Sequence, residues 1–486
     1  MRPTHYRWIA AASLIAIAVA AHAATRPHYG GTLRVVCSAA LESLDPAATP
    51  ALSRSEAASE RVAGLIFDTL VRLDENAHPQ PQLAHTWQHS DDYKRWQFWL
   101  RPGVTVQDGT PLTPAVVVAA IRRRPESWRV DVLGESIVIE SDTPMPGLLA
   151  DLARARNSIV IATPDGPLLG TGPFRVAEFQ PGRHIVLQAN EDYWAGRPFL
   201  DEIDIALGQP LRDQAMNLQL GRADVIEIDP DQVRHALDDR RRVAVSSPAE
   251  LMGLFFPRSR ATDAAGRARE ARVREALWLA IDRVTINNVL LQRQGEPATS
   301  LLPQWISGFA FAFDHGLDLK RARQARAESG WAAPLIIAYD PAAALARSVA
   351  ERVAVNGRDA GLTVQAQALN TRGLVYDAVL FRAPLQSADA QAALIGLAPA
   401  LFPNELPQLR VASDPVDEFV FERGLNVGAG GVGGAVVPIV HLPEAFGLSA
   451  RVNGWTQPRD GSWRLADVWV SSQQDKSTDR MRTEKR

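Results

Sequence analysis

The first two dozen residues constrain this chain most. A basic start (Arg2, His5 and Arg7) precedes an apolar run of about 13 residues from Ile9 to Ala21, and Ala21-His22-Ala23 supplies a small-x-small cleavage pattern. A run this short falls below the ~20 apolar residues that span a bilayer. The expectation is a signal peptide over 1–23 and an exported mature chain that begins near Ala24. With one cysteine, Cys37, no intramolecular disulfide can form, so the exported fold must rest on buried apolar surface. A lipid anchor needs a cysteine directly after the apolar run. Cys37 lies well beyond it, inside Leu33-Arg34-Val35-Val36-Cys37, which reads as a buried strand and makes Cys37 a core residue. An unanchored exported chain is retained in an enclosed periplasm, which implies a Gram-negative-type envelope.

About 460 residues follow the leader, too many for one core, so two or three domains are expected. A hydrophobic fraction of 46% and a charged fraction of 22% are ordinary for a globular chain. A net charge of −3 leaves no electrostatic footprint for nucleic acid. No second apolar stretch reaches membrane-spanning length, so after leader cleavage the chain is not expected to insert in a membrane.

Periodicity then divides the chain. In the first block, Thr32 to Ser38 reads as a strand and Ser55 to Leu70 as a helix with Ala58, Val62, Leu65 and Ile66 on one face. Trp96 to Leu100 alternates as a strand, Thr113-Pro114 opens a helix through Ile121, and Ile137 to Glu140 is a short strand. A second block, from Gly170 to about Ser246, holds strands at Phe174–Phe179, His184–Ala189, Leu200–Leu207 and Ala223–Ile228. Its helices are Leu211–Leu220 and Pro230–Leu237. The third block, from about Leu251, has helices at Ala271–Ile281, Leu319–Ser329 and Ala342–Ala360, with strands at Leu335–Tyr339 and Leu362–Ala366. Val436 to Leu442 is a late strand, and 471–486 is a polar tail without periodicity, expected to be disordered. Alternating strands and helices predict an α/β fold.

Four segments resemble the family 5 extracellular solute-binding proteins of ABC importers, which include dipeptide-, oligopeptide-, nickel- and opine-binding proteins. The first is Gly30-Gly31-Thr32-Leu33-Arg34 with Ser43-Leu44-Asp45-Pro46. The second joins Ile66-Phe67-Asp68-Thr69-Leu70-Val71, Pro81-Gln82-Leu83-Ala84, Trp87, Trp96-Gln97-Phe98, Leu100-Arg101-Pro102-Gly103-Val104 and Asp108-Gly109-Thr110-Pro111-Leu112-Thr113. The third is Gly170-Thr171-Gly172-Pro173-Phe174 with Asn190-Glu191-Asp192-Tyr193-Trp194 and Gly221-Arg222-Ala223-Asp224. The fourth is Val273-Arg274-Glu275-Ala276-Leu277 with Ala280-Ile281-Asp282-Arg283. The resemblance implies a two-lobed periplasmic binding protein fold (type II) with an extra subdomain inserted in the first lobe. Lobe I would be discontinuous over 24–44, 168–250 and 436–470, the insertion would cover 45–167, and a shortened lobe II would cover 251–435. A chain that leaves one lobe and returns creates crossing strands, and these can hinge the lobes shut around a solute.

The resemblance also nominates contacts. Ligand would approach Pro50 and Leu52 after the Leu-Asp-Pro motif, and Glu227, Ile228 and Asp229 after Gly-x-x-Asp. The alternative for Glu227 and Asp229 is a solvated strand end and a cap before Pro230. Peptide binders carry Gly-Trp and then an acidic residue where this chain has Phe381-Arg382-Ala383-Pro384-Leu385-Gln386. A neutral Gln386 cannot offset a buried ammonium, which argues against recognition of a free α-amino group. Arg382 either meets an anionic group through its fork or is a surface arginine. His441 lies where relatives place an aromatic near ligand. It is alone for a metal, and a core or hinge histidine is the other reading.

Gly428 to Gly433 matches G-x-G-x-x-G, but a strand follows it instead of a helix, so it reads as a flexible link. No nucleophile elbow, zincin motif, paired-cysteine site or P-loop is present. No catalytic residues, metal or cofactor are expected. The expected function is a monomeric periplasmic component that delivers a small-molecule or short-peptide ligand to ABC transporter permease subunits. The alternative is a degenerate homologue acting as a sensor or scaffold through protein contacts.

Overall fold

The computed structural model describes residues 27–50, 52, 55–123, 128–163, 166–257, 259–313, 316–404, 406–411, 420–424, 435–459 and 461–471. The leader, the Gly428–Gly433 link and the tail beyond 471 lie outside the described residues.

The chain opens with β1 (Thr32–Val36) and, after a loop, α1 (Glu56–Ile66). Strands β2 (Ala84–His89) and β3 (Arg95–Leu100), helix α2 (Pro114–Arg122), and strands β4 (Arg129–Leu133) and β5 (Ser136–Glu140) follow. These four strands form their own antiparallel sheet in the order β2-β3-β5-β4. Its face packs on α2, with Phe98, Val117, Ile137 and Ile139 fully buried. The Thr113 side chain accepts from Val116 N, and Pro114 opens the first turn, as the sequence predicts.

The chain then forms β6 (Phe174–Gln180), β7 (His184–Ala189), β8 (Glu202–Ala206), α3 (Leu211–Gln219) and β9 (Val225–Ile228). A 14-residue strand, β10 (Arg242–Phe255), leads out of this block. Helices α4 (Ala264–Ala280) and α5 (Leu319–Ser329) follow, then β11 (Leu335–Tyr339), α6 (Ala344–Asp359), β12 (Val364–Ala368), β13 (Ala378–Pro384) and α7 (Ala390–Leu401). The 13-residue β14 (Val436–Leu448) leads back.

These strands join in one mixed sheet ordered β12-β11-β13-β10-β14-β9-β1-β8-β7-β6. Two separate cores flank it. One packs Leu277, Leu254, Val349, Val353, Ile337 and Ile439 between α4, α5, α6 and the sheet. The other packs Leu33, Leu65, Phe174, Ile203 and Phe446. Each such side chain, moved fully out of water, contributes about 1.5–3 kcal/mol.

The two long strands are the link between the cores. β10 pairs with β14 from Arg242↔Leu448 to Phe255↔Val436. At one end β14 pairs with β9, and at the other β10 pairs with β13. Pro248 faces Pro443 at the middle, and the register shifts on both sides of Pro248. Proline cannot donate to a ladder, so the ribbon is weakest in hydrogen bonding where it passes between the halves.

Several elements differ from the sequence expectation: α1, expected to reach Leu70, ends at Ile66, and β13 and α7 were not anticipated. The late strand, expected to stop at Leu442, runs on to Leu448 through Pro443, and β10 was not anticipated as one strand because Pro248 interrupts it. The helix expected from Ala271 begins at Ala264, where Asp263 accepts from Gly266 N. Its first two turns carry little apolar periodicity, so capping and helix-forming residues define them.

Candidate binding cleft between the two halves of the sheet

A cavity of about 360 Å³ lies against the crossing strands. From the first half come Leu52, Arg61, Glu227, Ile228, Asp229 and Phe446. From the second come Met252, Leu345, Ala346, Leu380, Phe381 and Arg382. A second chamber of about 270 Å³ adjoins it and shares Ala57, Arg61, Pro384 and Glu444; it extends between α1, the 153–158 segment, Gln386 and the 461–464 loop.

The inner chamber is organised by two charge clusters; Arg61 is buried, whereas Arg382 is half-buried, with its side chain 35% exposed. Arg61 projects from α1 with its side chain 8% exposed; Nη2 donates to Glu227 at 3.0 Å and Nη1 to Glu444. Its guanidinium also stacks 5.4 Å from the Phe446 ring and 5.3 Å from Trp463. Burial works against its charge, but Glu444 and Glu227 outweigh that and raise its pKa. On the facing wall, Arg382 donates through Nη1 to Asp229 at 3.1 Å and through Nε to Glu250. Burial again opposes the charge, and Glu250 with Asp229 prevails. Burial lifts the Glu444 carboxyl to about 7, with Arg61 pulling it down and Glu250 pushing it up. Glu227 also accepts from the Ser38 amide at 2.6 Å, which fixes it at the end of β1.

Most of the sequence-nominated residues meet here. Leu52, Glu227, Ile228, Asp229, Phe381 and Arg382 line the inner chamber. Glu227 and Asp229 hold guanidinium groups across the cavity. Arg382 is no exposed surface residue, and its fork is already occupied by two carboxylates. Gln386 lines the outer chamber. Its amide donates to Glu56 at 2.6 Å and its carbonyl accepts from Arg154 at 2.8 Å, so it ties the two halves together. The Glu56 carboxylate also accepts from the Leu52 amide at 2.7 Å. Leu52 and Gln386 both hold left-handed backbone, with φ of 57° and 60°. Such conformations cost about 1–3 kcal/mol and persist where surrounding contacts enforce them.

Two nominated residues stand apart. Pro50 is exposed and is not among the residues lining either chamber. His441 is 2% exposed, lines neither chamber, and bonds through Nε2 to the Leu301 carbonyl at 3.1 Å. Burial lowers it to about 4, so it is neutral at pH 7.

The sequence reading missed Arg61, Glu250 and Glu444. A signal existed for two of them. Arg61 interrupts the apolar stripe Ala58–Val62–Leu65 of α1, and Glu444 sits in a strand otherwise almost wholly apolar. A charge at a core position is informative because it must be paired. Among the described residues no group of three or more His, Cys, Asp or Glu could hold a metal ion, and no helix is long and apolar enough to cross a membrane.

Two α/β bodies joined by crossing strands, with a lined cavity between them, define a two-lobed binding protein fold. The chain belongs to the bacterial extracellular solute-binding proteins, family 5, matching the family over residues 78–126 and 130–408, more than half its length. The structure superposes on DppA of Helicobacter pylori, an ABC transporter-associated periplasmic binding protein in complex with peptide STSA. The TM-score is 0.75 with 19% identity, over 92% of this chain and 99% of that one. Among curated relatives, Uncharacterized protein YhjP of Bacillus subtilis is 34% identical over 160 residues, 30% of this chain and 27% of that protein. The probable D,D-dipeptide-binding periplasmic protein DdpA of Escherichia coli is 24% identical over 269 residues, 50% of this chain and 51% of that protein. The matched stretch thus spans from about a quarter to half of these relatives' length.

Proposed function

We propose that this chain is an exported, periplasmic, monomeric solute-binding component that encloses a small-molecule or short-peptide ligand and delivers it to ABC transporter permease subunits without altering it. One observation carries the reading: residues from both halves of the molecule converge on a lined cavity at the crossing of β10 and β14. The lobes would be 24–44 with 168–250 and 436–470, and 251–435, with 45–167 inserted in the first. The ribbon would flex where Pro248 meets Pro443. The peptide-binding relatives favour peptide-like solutes. Gln386, bonded to Arg154 and Glu56, stands where a peptide binder's acid would be, and this favours other small organic molecules alongside them.

The test is mass spectrometry of whatever co-purifies with natively exported protein. It is followed by melting and X-ray scattering of the stripped protein with and without that solute. A binder gains stability by mass action and compacts. A second reading, a sensor or scaffold working through protein contacts, draws on the bonds that already join the lobes, Gln386–Glu56 and Arg382–Asp229. A stripped protein that is already compact and unmoved by every extracted solute would favour that reading and overturn solute delivery.

A further inference from the structure

We infer that the inner chamber is built for a solute carrying net positive charge on an apolar body, an ammonium or guanidinium head that meets the cleft at Glu444. This rests on the solute-binding reading and adds the class of solute.

The charge in the chamber is unbalanced. Arg61 lies between Glu227 and Glu444, and Arg382 between Asp229 and Glu250. Each guanidinium thus faces two carboxyl groups; the Arg382 cluster is one positive charge short, and the Arg61 cluster is too once Glu444 is ionised. In a low-dielectric cleft such an excess stays expensive until a cation enters.

Glu444 shows where the deficit lies. The residue is 8% exposed, one carboxylate oxygen is held by Arg61, and Oε2 has no hydrogen-bond partner among the described residues. Glu444 lines both chambers, and its Oε2 lies beside Gly461 of the outer one, where a Cβ would fall 2.2 Å from it. A buried carboxylate oxygen without a donor costs about 1–3 kcal/mol or more, and a ligand N–H removes that cost.

Arg61 Nε and Arg154 Nε are buried donors without a partner among the described residues, but an anion at either would lie against the carboxylates that already hold the same guanidinium. Both terminal nitrogens of Arg61 and the whole fork of Arg382 are engaged, so an anionic solute bound there would have to break an existing ion pair. In the outer chamber, Arg154 is bonded to Asp151 and Gln386, while Arg72 and Arg464 are exposed at the surface and screened. The carboxylates converge on guanidinium groups and not on one another, which favours an organic cation over a bare metal ion. Apolar side chains also line the chamber: Met252, Leu345, Ala346, Leu380 and Phe446 would cover the solute's body. The volume, about 360 Å³, is at the low end for small-ligand sites.

The test uses the full mature chain, stripped of bound solute, and a matched series with one apolar body: 4-phenylbutylamine, 4-phenylbutanol and 4-phenylbutyrate, followed by calorimetry. The amine is expected to bind at least about tenfold tighter than the alcohol, with the acid weakest, and to weaken as salt rises. Glu444→Gln should cost the amine about tenfold or more and leave the alcohol unchanged. If that variant fails to fold, the salt dependence in the unmodified protein carries the same information. The net charge of the solute recovered from exported protein is the independent readout. A recovered solute that is neutral or anionic, or an amine no tighter than the alcohol, overturns the inference and leaves solute binding standing. No recovered solute and no binding of any of the three ends both.

Discussion

Replacing Arg61 with methionine removes the guanidinium between Glu227 and Glu444 while keeping much of its apolar stem. Two carboxylates, with side chains 15% and 9% exposed, then lose their shared counter-ion. Breaking a buried pair from one side costs about 3–5 kcal/mol, and the lost stacking on Phe446 and Trp463 adds roughly 0.5–2 kcal/mol. The loss should therefore be about 4–6 kcal/mol at pH 8, read from urea unfolding by tryptophan fluorescence. The sign of its pH dependence follows from Glu444. Burial raises this carboxyl from 4.5 to about 7 in the folded protein, and removing Arg61, which pulls it down, moves it higher. A carboxyl raised on folding binds more protons in the native state. Its destabilising effect is therefore absent below about 4.5 and grows as pH rises through the folded value. Glu227, Glu250 and Arg382 face the same group, and the first two push it in the same direction. The gap between Arg61→Met and the unmodified protein should shrink by about 1 kcal/mol from pH 8 to pH 7, where Glu444 titrates in one protein and not in the other, and change little below that. Adding Glu444→Gln to the variant should recover most of the loss at pH 8. A gap below about 1 kcal/mol at pH 8, or one that is constant with pH, would refute the account of the cluster.

Three further outcomes are expected. Gly172→Ala places a Cβ 2.6 Å from the Ile66 carbonyl carbon and oxygen and 2.9 Å from Phe67 N, backbone that cannot yield. Thermal unfolding should reveal a loss of about 1–3 kcal/mol or more. Asp68→Ala strands the donors of Gln82, Thr171 and Trp194, bonded at 2.7, 2.9 and 2.9 Å. The expected loss is at least about 3 kcal/mol in the same assay, partly restored by Asn. Arg382→Ala combined with Gln386→Ala removes bonds that cross the cleft to Asp229 and Glu56. X-ray scattering should then show a larger radius of gyration for the stripped protein, and an unchanged profile would mean that these bonds do not hold the lobes together.

Legibility along the chain followed the physics of each segment. Helices with strong stops were read to the residue: α5 ends at Gly330, whose φ of 60° suits glycine at a helix end. The crossing strands were not, because a proline in a strand pattern reads as an end. Here Pro248 and Pro443 oppose each other at a register shift, where neither is asked to donate. Arg61 and Glu444 were invisible to a search that follows motifs, since each belongs to a run whose other members are apolar.

The motifs that made the family recognisable do a different job from the cleft. Asp68, from one segment, accepts from Thr171 and Trp194, from another. Gly170 and Gly172 admit the Ile66 backbone, and Gln107 donates to the Ile66 and Phe174 carbonyls. Arg34 grips the fully buried Asp224 through Nε and Nη2, joining the first segment to the third. These contacts lock the segment from Ile66 to Gln107 and the ends of β1 and β9 into one frame. The frame sets where Glu227 and Arg61 stand without itself lining the inner chamber. A frame built this way tolerates any side chain on the facing walls, because the bonds that hold it are satisfied elsewhere. The fold and the charge of the cleft are therefore written in separate residues. The first could be read from motif order, whereas the second depended on which charges the folded chain brings together and leaves unmatched.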